Sequence, residues 1–392
     1  MWTTEQLEIR NLARDFARRE IRPRAGRWDA EGRLDDRILD ELAELGFLGM
    51  RIPEEYGGLE LDLGTYLLVL EELAWGDASL ALVVSVQNGP VATLLRDHAT
   101  PEQKERLFPR MASGELLTAF ALAESGSASD GAGLATRAVA DDEGWILSGT
   151  KSWVAGGDRA GLVVVFAGTD GGGEGPGTLG AFLVEPEAEG CSRRSVPRTM
   201  GLRASGTVEL HLDGVRVGDD GVVGSAEEGL TMAREALDVG RAGAAGQAVG
   251  TARAAYEHAA AYAAEREQFG RHLAEFGGVQ EKVAEMVVRI SAARALAHEA
   301  ARRLDATDDV AREAGPAGPG SPAAVSAMSK LAATEAALWV TDQAVQIYGG
   351  YGYMRDYPVE RLLRDAVGAG IYEGTSATLR RVVAQDVLGG RD

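Results

Sequence analysis

Much of the architecture follows from one run of residues, GLTMAREALDVGRAGAAGQAVGTARAAYEHAAAYAAE, at positions 229–265. Its alanine-rich composition favours a single long helix. Two runs of the same kind follow, at 278–304 and 322–348. Helices of that length are best stabilised by lying antiparallel in a bundle. The segment 315–322, which contains glycine and proline, is then expected to be a surface loop between two of them.

The chain before this run divides into a segment with helical patterns and a segment with strand patterns. Thr3 and Gln6 can form a capping box at the start of an N-terminal helix. Further helical patterns occupy 35–45, which ends at Gly46 as a C-terminal cap, and 63–75. After Leu116 come short apolar runs separated by turn residues, and these predict strands at 145–148, 161–168, 179–184 and 207–217. Asp213-Gly214 favours a turn that interrupts the last strand.

These patterns predict an α+β protein that is mainly helical. Its expected parts are an N-terminal helical domain at 1–117, a middle β domain at 118–227 and a C-terminal helical bundle at 228–392. A chain of 392 residues exceeds a single compact core, in agreement with more than one domain.

Composition narrows the classes of function. The chain has 45% hydrophobic and 26% charged residues, as ordinary soluble globular proteins do. Its formal net charge of -20 disfavours binding to nucleic acid and to anionic membranes. Cys191 is the single cysteine, which excludes an internal disulfide and fits a reducing compartment. The N-terminus has no apolar stretch, so we expect a cytoplasmic protein without a membrane span.

Two C-terminal motifs could carry chemistry. Gly349 and Gly350 follow a long helix and would let a flat or charged ligand approach the backbone, although a helix stop with aromatic packing explains them equally well. Glu373 stands between Tyr372 and Gly374, where burial could make it a competent base. The ordinary alternative is a helix start capped by the following hydroxyl residues. No metal is assigned, since the five histidines show no i, i+4 pairing.

From about residue 3 to 388 the sequence resembles the acyl-CoA dehydrogenase family. The resemblance rests on motifs that occur in the family's order and spacing, namely FALAESGSASD at 120–130, GTKSW at 149–153, MGLRAS at 200–205, EREQFG at 265–270, QIYGGYGY at 346–353 and IYEGTS at 371–376. It implies an N-terminal helical domain, a middle β domain and a C-terminal four-helix bundle. It also implies FAD as cofactor, a dimer or homotetramer, a role in fatty acid metabolism and reoxidation by an electron-transfer flavoprotein.

The resemblance further implies a role for each matching residue. Glu373 would be the catalytic base that removes the α proton of an acyl-CoA thioester, which leads to the trans-2-enoyl product. The residues expected to contact FAD are Phe120, Leu122, Ser129, Trp153, Arg266, Gln268, Phe269, Phe276, Gln346, Gly349, Gly350, Thr375 and Ser376. The residues expected to contact the substrate are Ser129, Asp238, Arg241 and Gly374. Arg266, Gln268 and Phe269 resemble the segment that one subunit lends to its neighbour's FAD.

Other branches of the family carry the base on an earlier helix, at the position of Gly240 here. Glycine cannot serve as a base, so this absence points to Glu373 and to the short-chain, medium-chain or branched short-chain types.

The family pattern is broken at several cofactor contacts. Ala123 and Ala155 stand where the family commonly has threonine, and Gly277 where it has glutamine. The usual Pro, Ala and Gly of the flavin loop are replaced by Ser125, Ser127 and Ala128. Each lost hydrogen bond is worth ~1 kcal/mol. These changes leave two alternatives open: a biosynthetic relative that acts on carrier-bound acyl groups or uses oxygen, and a non-catalytic paralogue poor in flavin.

Overall fold

The structure, a computed structural model, describes residues 2–126, 134–169, 178–196, 199–306 and 320–389. It confirms the α+β, mainly helical class, with helical segments before and after the strands along the chain. The N-terminal part consists of α1 (Thr4–Phe16), α2 (Arg22–Glu31), α3 (Asp36–Glu44), α4 (Leu63–Gly76), α5 (Ala78–Val86), α6 (Ala92–His98) and α7 (Pro101–Ala112). Single π-helical turns at Ala17–Ile21 and Gln87–Val91 connect α1 to α2 and α5 to α6.

The helix ends follow from local chemistry. The Thr3 hydroxyl accepts a hydrogen bond from the Gln6 amide at 3.1 Å, and the Gln6 side chain accepts one from the Thr3 amide at 3.0 Å. The predicted capping box is therefore confirmed. Asp35 caps α3 through the Ile38 amide, and Gly46 just beyond it takes the left-handed conformation with φ +75°.

The centre of the N-terminal part is unusually apolar. Within the described residues, the helical run Ala78–His98 is long and apolar enough to cross a membrane, but its apolar window is 100% buried inside the protein. Its neighbour α4 is buried over nearly its whole length. These helices therefore serve as core, and at Gly89, inside that run, a β-carbon would lie 3.2 Å from the Tyr66 hydroxyl and 4.0 Å from the α-carbon of Gly240, near the active-site region described below.

The described part of the middle domain is an eight-stranded sheet. Its strands are β1 (Thr118–Ala121), β2 (Arg137–Asp141), β3 (Gly144–Val154), β4 (Leu162–Thr169), β5 (Thr178–Val184), β6 (Cys191–Ser195), β7 (Val208–Val217) and β8 (Val222–Val223). They follow the order β6-β7-β3-β2-β4-β5-β8, and β1 pairs in parallel with β4. The predicted strands are confirmed, with shifted ends.

The predicted turn at Asp213-Gly214 is wrong. Strand β7 runs through it unbroken, and Leu147 pairs with Val215 while Ser148 pairs with Asp213. Gly214 is thus an extra residue with φ +69°, a β-bulge that uses the same left-handed freedom a turn would need.

The C-terminal part consists of the long predicted helices and two shorter ones. Its elements are α8 (Gly229–Glu265), the hairpin β9 (Glu267–Gln268) and β10 (Arg271–His272), α9 (Gly277–Leu304), α10 (Pro322–Tyr348), α11 (Val359–Ala369) and α12 (Ser376–Val387). The predictions for 229–265 and 322–348 are confirmed at both ends, and α9 begins one residue earlier than expected. Most of the expected loop 315–322 lies outside the described residues.

Small residues let α8 lie close to its neighbours. A β-carbon at Gly250 would come within 2.3 Å of the Glu71 carbonyl oxygen on α4. Alanines of α8, α9 and α10 share one core with the apolar residues of α1 and α4. Helix α8 is thereby fixed against both the N-terminal helices and α10, which sets the positions of its side chains near the site.

A buried network joins the three parts. The Asp365 carboxylate on α11 accepts a hydrogen bond from the Leu202 amide at 2.6 Å, and Arg364 makes two bonds to the Asp29 carboxylate at 2.8 and 2.7 Å. A cleft of about 800 Å³ beside this network is lined by Arg203 and Arg361 among others, and it contains none of the predicted site residues. We attribute it to the joint between domains.

Candidate active site

Glu373 lies in the tight connection between α11 and α12. Its φ is +55° and that of Gly374 is +98°, so two successive residues occupy the left-handed region. A residue with a side chain rarely adopts this conformation, and such strain is concentrated at functional sites. Thr375 caps α12 by accepting from the Thr378 amide, as the alternative sequence interpretation required. The helix cap at Thr375 and a catalytic carboxyl at Glu373 are compatible, since they use different residues.

The Glu373 carboxyl rests against the backbone of α8 at Gly240. A β-carbon at Gly240 would lie 2.8 Å from Cδ and Oε2 of Glu373 and 2.9 Å from Oε1. Side-chain atoms almost never approach so closely, so with any larger residue at position 240 the carboxyl would have to move. The position at which other family branches were expected to carry their base is here filled by the carboxyl of Glu373.

The surroundings of Glu373 favour a proton acceptor. Its Oε2 atom is buried and has no hydrogen-bond partner among the described residues. Burial raises the pKa of Glu373 to about 7, although the positive charges of Arg241 and Lys330 act to lower it. A carboxylate that titrates near neutral pH and has a free lone pair is suited to general-base chemistry.

Asp238 and Arg241, predicted to contact substrate, lie directly beside this turn. The Arg241 guanidinium donates to the Asp238 carboxylate at 2.9 Å and, at 3.4 Å, to the backbone carbonyl of Glu373. The Ser326 hydroxyl on α10 also donates to Asp238, at 2.7 Å. The structure therefore gathers Asp238, Arg241, Glu373 and Gly374 in one place.

Polar side chains that the sequence analysis missed surround the carboxyl as well. The Tyr66 hydroxyl on α4 bonds the Ser85 hydroxyl at 3.2 Å and would lie 3.0 Å from a β-carbon at Gly243. The Tyr372 hydroxyl bonds the Gln247 side chain at 2.5 Å. Tyr66 and Gln247 lie in α4 and α8 outside the recognised motifs, so only the packing of these helices brings them to this region, whereas Tyr372 belongs to the motif at 371–376.

The loop after β1 is anchored by a buried ion pair. The Lys151 ammonium on β3 bonds the Glu124 carboxylate at 2.6 Å and donates to the Leu122 carbonyl at 3.1 Å. The same carboxylate accepts from the amides of Ala135 and Thr136. Both ends of the segment from 122 to 136 are thus tied to β3. Glu124 and Lys151 fall inside recognised motifs but were not assigned a role from the sequence.

Trp153 is presented by an irregularity at the end of β3. The pairing with β7 shifts between Lys151 and Val154, and Trp153 has φ +61° and a side chain 62% exposed. The Ser152 amide donates to the Ala123 carbonyl at 2.9 Å, and the Ser152 hydroxyl is buried without a partner among the described residues. Bulges of this kind re-aim a side chain, here toward solvent beside the β1 loop.

The loop after β1 and the turn at Glu373 share one apolar core. Leu122, Leu202 and Leu237 belong to one apolar cluster, and Phe120 and Tyr372 pack against it. The β1 loop and the Glu373 turn therefore border the same region. Ser129, which was also assigned here, lies outside the described residues.

A second group of predicted residues forms an exposed arm. Phe269 and Gly270 turn the β9–β10 hairpin with φ +52° and +75°, the signs of a type I′ turn, and the Phe269 side chain is 93% exposed. Phe276 packs edge-on to it at 6.4 Å. The Arg266 guanidinium lies 5.7 Å from the centre of the Tyr351 ring. Near Tyr351 in the sequence, at the end of α10, the exposed residues are Gln346, Gly349 and Gly350.

The arm contains no described contact with the Glu373 turn or with Trp153. The predicted site residues therefore fall into two separate groups within one chain: one around Glu373 and the β1 loop, and one around the hairpin and the end of α10.

Comparison with known proteins identifies the family. Models of the acyl-CoA dehydrogenase N-terminal, middle and C-terminal domains match residues 3–115, 119–215 and 227–388. This chain belongs to the acyl-CoA dehydrogenase family. It is thus an oxidoreductase that acts on CH-CH groups of acyl-CoA and uses FAD.

Similar proteins match over nearly their whole length. A mitochondrial short-chain specific acyl-CoA dehydrogenase of Bos taurus is 38% identical, over 97% of this chain and 89% of its own. The structure of butyryl-CoA dehydrogenase from Megasphaera elsdenii has a TM-score of 0.91 and 34% identity, with 99% of each chain covered. A structure described as the electron transferring flavoprotein of Acidaminococcus fermentans has a TM-score of 0.90 and 35% identity, covering 100% of this chain and 99% of that chain.

The residues of this acyl-CoA dehydrogenase chain fit a flavin. The exposed Trp153 indole gives a flat apolar surface for a ring system, and the buried Ser152 hydroxyl beside it has an unused hydrogen-bonding group. Arg266 offers a fork of fixed donors suited to a pyrophosphate. Ala123 and Ala155 have no side-chain hydroxyl, so only backbone groups can bond the flavin at their positions.

Proposed function

We propose that Glu373 is the catalytic base of this acyl-CoA dehydrogenase and removes the α proton of the thioester. One observation carries the proposal: a buried carboxyl oxygen without a partner, on a strained turn, fills the space that Gly240 leaves open. Bound FAD supplies the acceptor for the β hydrogen, which leaves as a hydride and yields the trans-2-enoyl thioester. Arg241 and Lys330 stabilise the ionised carboxyl that this role requires.

The substrate side of the site is formed by Asp238, Arg241 and Gly374. Arg241 is held by Asp238, so its guanidinium is fixed next to the turn and can orient a polar part of the thioester. The strained Glu373–Gly374 backbone lies beside the base, where a peptide amide can polarise the thioester carbonyl. The type of acyl group is proposed from the family resemblance: a short, medium or branched chain on coenzyme A.

The flavin end is assigned to Phe120, Leu122, Ser129 and Trp153, with Thr375 and Ser376 after the base. The other FAD-contacting residues are assigned to a neighbouring subunit's cofactor: Arg266, Gln268, Phe269, Phe276, Gln346, Gly349 and Gly350. Two facts support the second assignment: Phe269 is 93% exposed, and the arm has no described contact with the Glu373 turn. We therefore propose a homo-oligomer, a dimer or tetramer. For the physiological partner we propose an electron-transfer flavoprotein, and for the location the cytoplasm.

The test is reduction of the bound flavin. Purified protein is mixed anaerobically with butyryl-CoA, and the loss of the blue flavin absorption is followed. Glu373→Gln should keep the yellow colour and lose at least about 10³-fold in bleaching rate, since a general base contributes up to ~10⁴-fold and no other group replaces it. Glu44→Gln, a change of the same kind at an exposed residue of α3, should bleach normally.

The outcomes separate the alternatives. A colourless protein would support the non-catalytic paralogue. Bleaching by an acyl-carrier-protein thioester but not by any acyl-CoA, or rapid reoxidation by oxygen, would support the biosynthetic relative. Bleaching by Glu373→Gln at the wild-type rate would show that the base lies elsewhere.

A further inference from the structure

Lys330 is a buried charged residue with no role in the account so far. It lies in the middle of α10, and its side chain is fully buried, at 0% exposure. Its ammonium donates to the backbone carbonyl of Gly374 at 2.7 Å, and this is its one hydrogen bond among the described residues. An isolated ammonium inside a protein is costly unless it is compensated, so its presence calls for a physical reason.

Compensation comes from the Glu373 turn. Burial lowers the pKa of Lys330 to about 8, and the charge that acts to raise it is that of Glu373. The ring of Tyr372 lies 5.9 Å from the ammonium and adds a weaker cation–π attraction. The described groups that attract the Lys330 ammonium therefore belong to three consecutive residues, Tyr372, Glu373 and Gly374, while Arg241 repels it.

Other charged and titratable groups near Glu373 act differently. Arg241 on α8 also lowers the pKa of Glu373, but it is paired with Asp238 at 2.9 Å, which offsets its charge. The hydroxyls of Tyr66 and Tyr372 remain neutral, since burial raises the pKa of each. Among the described groups, Lys330 is thus the nearby cation whose charge is not offset by another acid.

We propose that Lys330 is a positioning residue for the reaction. Its bond to the Gly374 carbonyl fixes the left-handed turn that holds the Glu373 carboxyl against Gly240, and its positive charge favours the ionised form of that carboxyl. The inference rests on the proposed role of Glu373 as base. It explains why the positive φ angle of Glu373 persists next to the reaction site, since a buried bond to the turn offsets part of its strain.

The test uses two variants that separate the bond from the charge. Lys330→Gln keeps a donor toward Gly374 and removes the charge, whereas Lys330→Met removes both. Lys104→Met, on α7 far from the turn, is the matched control. The readout is the rate of anaerobic bleaching by butyryl-CoA as a function of pH, with flavin content measured on each preparation.

The wild-type rate should rise with pH and reach half its maximum near pH 7, because the base must be ionised. Loss of one nearby positive charge moves a carboxyl pKa by about 1 to 3 pH units. In both variants the acidic limb of the pH–rate profile should therefore move to higher pH by about one unit or more, which lowers the rate at pH 7 by about fivefold or more. At pH 9 Lys330→Gln should recover most of the wild-type rate and Lys330→Met less, since only the second also loses the bond.

An acidic limb that stays in place in a folded, flavin-containing Lys330→Gln would overturn the inference, whatever the drop in rate. That result is distinct from failure of the base assignment, which Glu373→Gln tests alone. If Glu373→Gln is inactive and the limb does not move, Glu373 stands and only the role of Lys330 is refuted. If Lys330→Met does not fold, Lys330→Gln carries the test by itself.

Discussion

Replacement of Gly240 by alanine would add one methyl group at the point where α8 meets the base. The new carbon would lie 2.8 Å from Cδ and Oε2 of Glu373, whereas carbon atoms in contact prefer about 3.5–4.0 Å. The carboxyl must then retreat by about 1 Å, a displacement that can cost about 10²-fold in rate. Overpacking costs about 1–3 kcal/mol, and the gain of alanine over glycine in a helix returns about 1 kcal/mol.

Gly240→Ala should therefore fold and bind flavin but bleach with butyryl-CoA about 10²-fold more slowly, as measured by stopped-flow absorbance. The matched control is Gly26→Ala on α2, where a β-carbon would meet only the tip of Arg361 at 3.4 Å. That variant should keep its rate and gain slightly in thermal stability. A Gly240→Ala enzyme within twofold of wild type would refute the claim that the carboxyl occupies this position during the reaction.

Three further results are expected. Because burial raises the pKa of Glu373 to about 7, the folded protein loses stability as the pH rises from about 4.5 to 7. The variant Glu373→Gln escapes this loss and should be more stable than wild type by up to about 3 kcal/mol above pH 7 in urea denaturation. Equal stabilities of the two proteins at pH 8 would contradict this expectation. Lys151→Met leaves the buried Glu124 carboxylate without its cation, so it should lower the free energy of unfolding by about 3–5 kcal/mol and reduce the flavin content, with partial recovery in the double variant Lys151→Met/Glu124→Gln. A fully stable single variant would show that the ion pair does not anchor the loop. Phe269→Ala removes a 93% exposed ring, so it should leave subunit folding intact but lower the oligomer mass in light scattering and the flavin content; unchanged values of both would remove the arm from the interface.

The long helices could be predicted because their signals are local. The run Gly229–Glu265 and the run Pro322–Tyr348 keep their predicted ends, and the Thr3 capping box forms as written in the sequence. Asp213-Gly214 shows the limit of such signals. The dipeptide provides positive φ in a turn or in a bulge, and pairing with β3 selects the bulge.

The site was predictable only where a motif marks it. Glu373 stands in a recognisable motif, and its position against Gly240 agrees with the role that the sequence suggests for it. Tyr66, Gln247 and Lys330 have no such mark, because each lies in a helix outside the motifs that the sequence analysis recognised. Their importance depends on how α4, α8 and α10 pack around the turn, which no local pattern encodes.

The most direct measurement of the central claim is exchange of the α hydrogen itself. With the flavin first reduced by dithionite, butyryl-CoA is incubated with the enzyme in D₂O, and deuterium at the α carbon is followed by mass spectrometry. Transfer to the flavin is then blocked, so exchange reports proton removal alone. Wild type should introduce deuterium and Glu373→Gln should not. Exchange at equal rates in the two proteins would contradict the account.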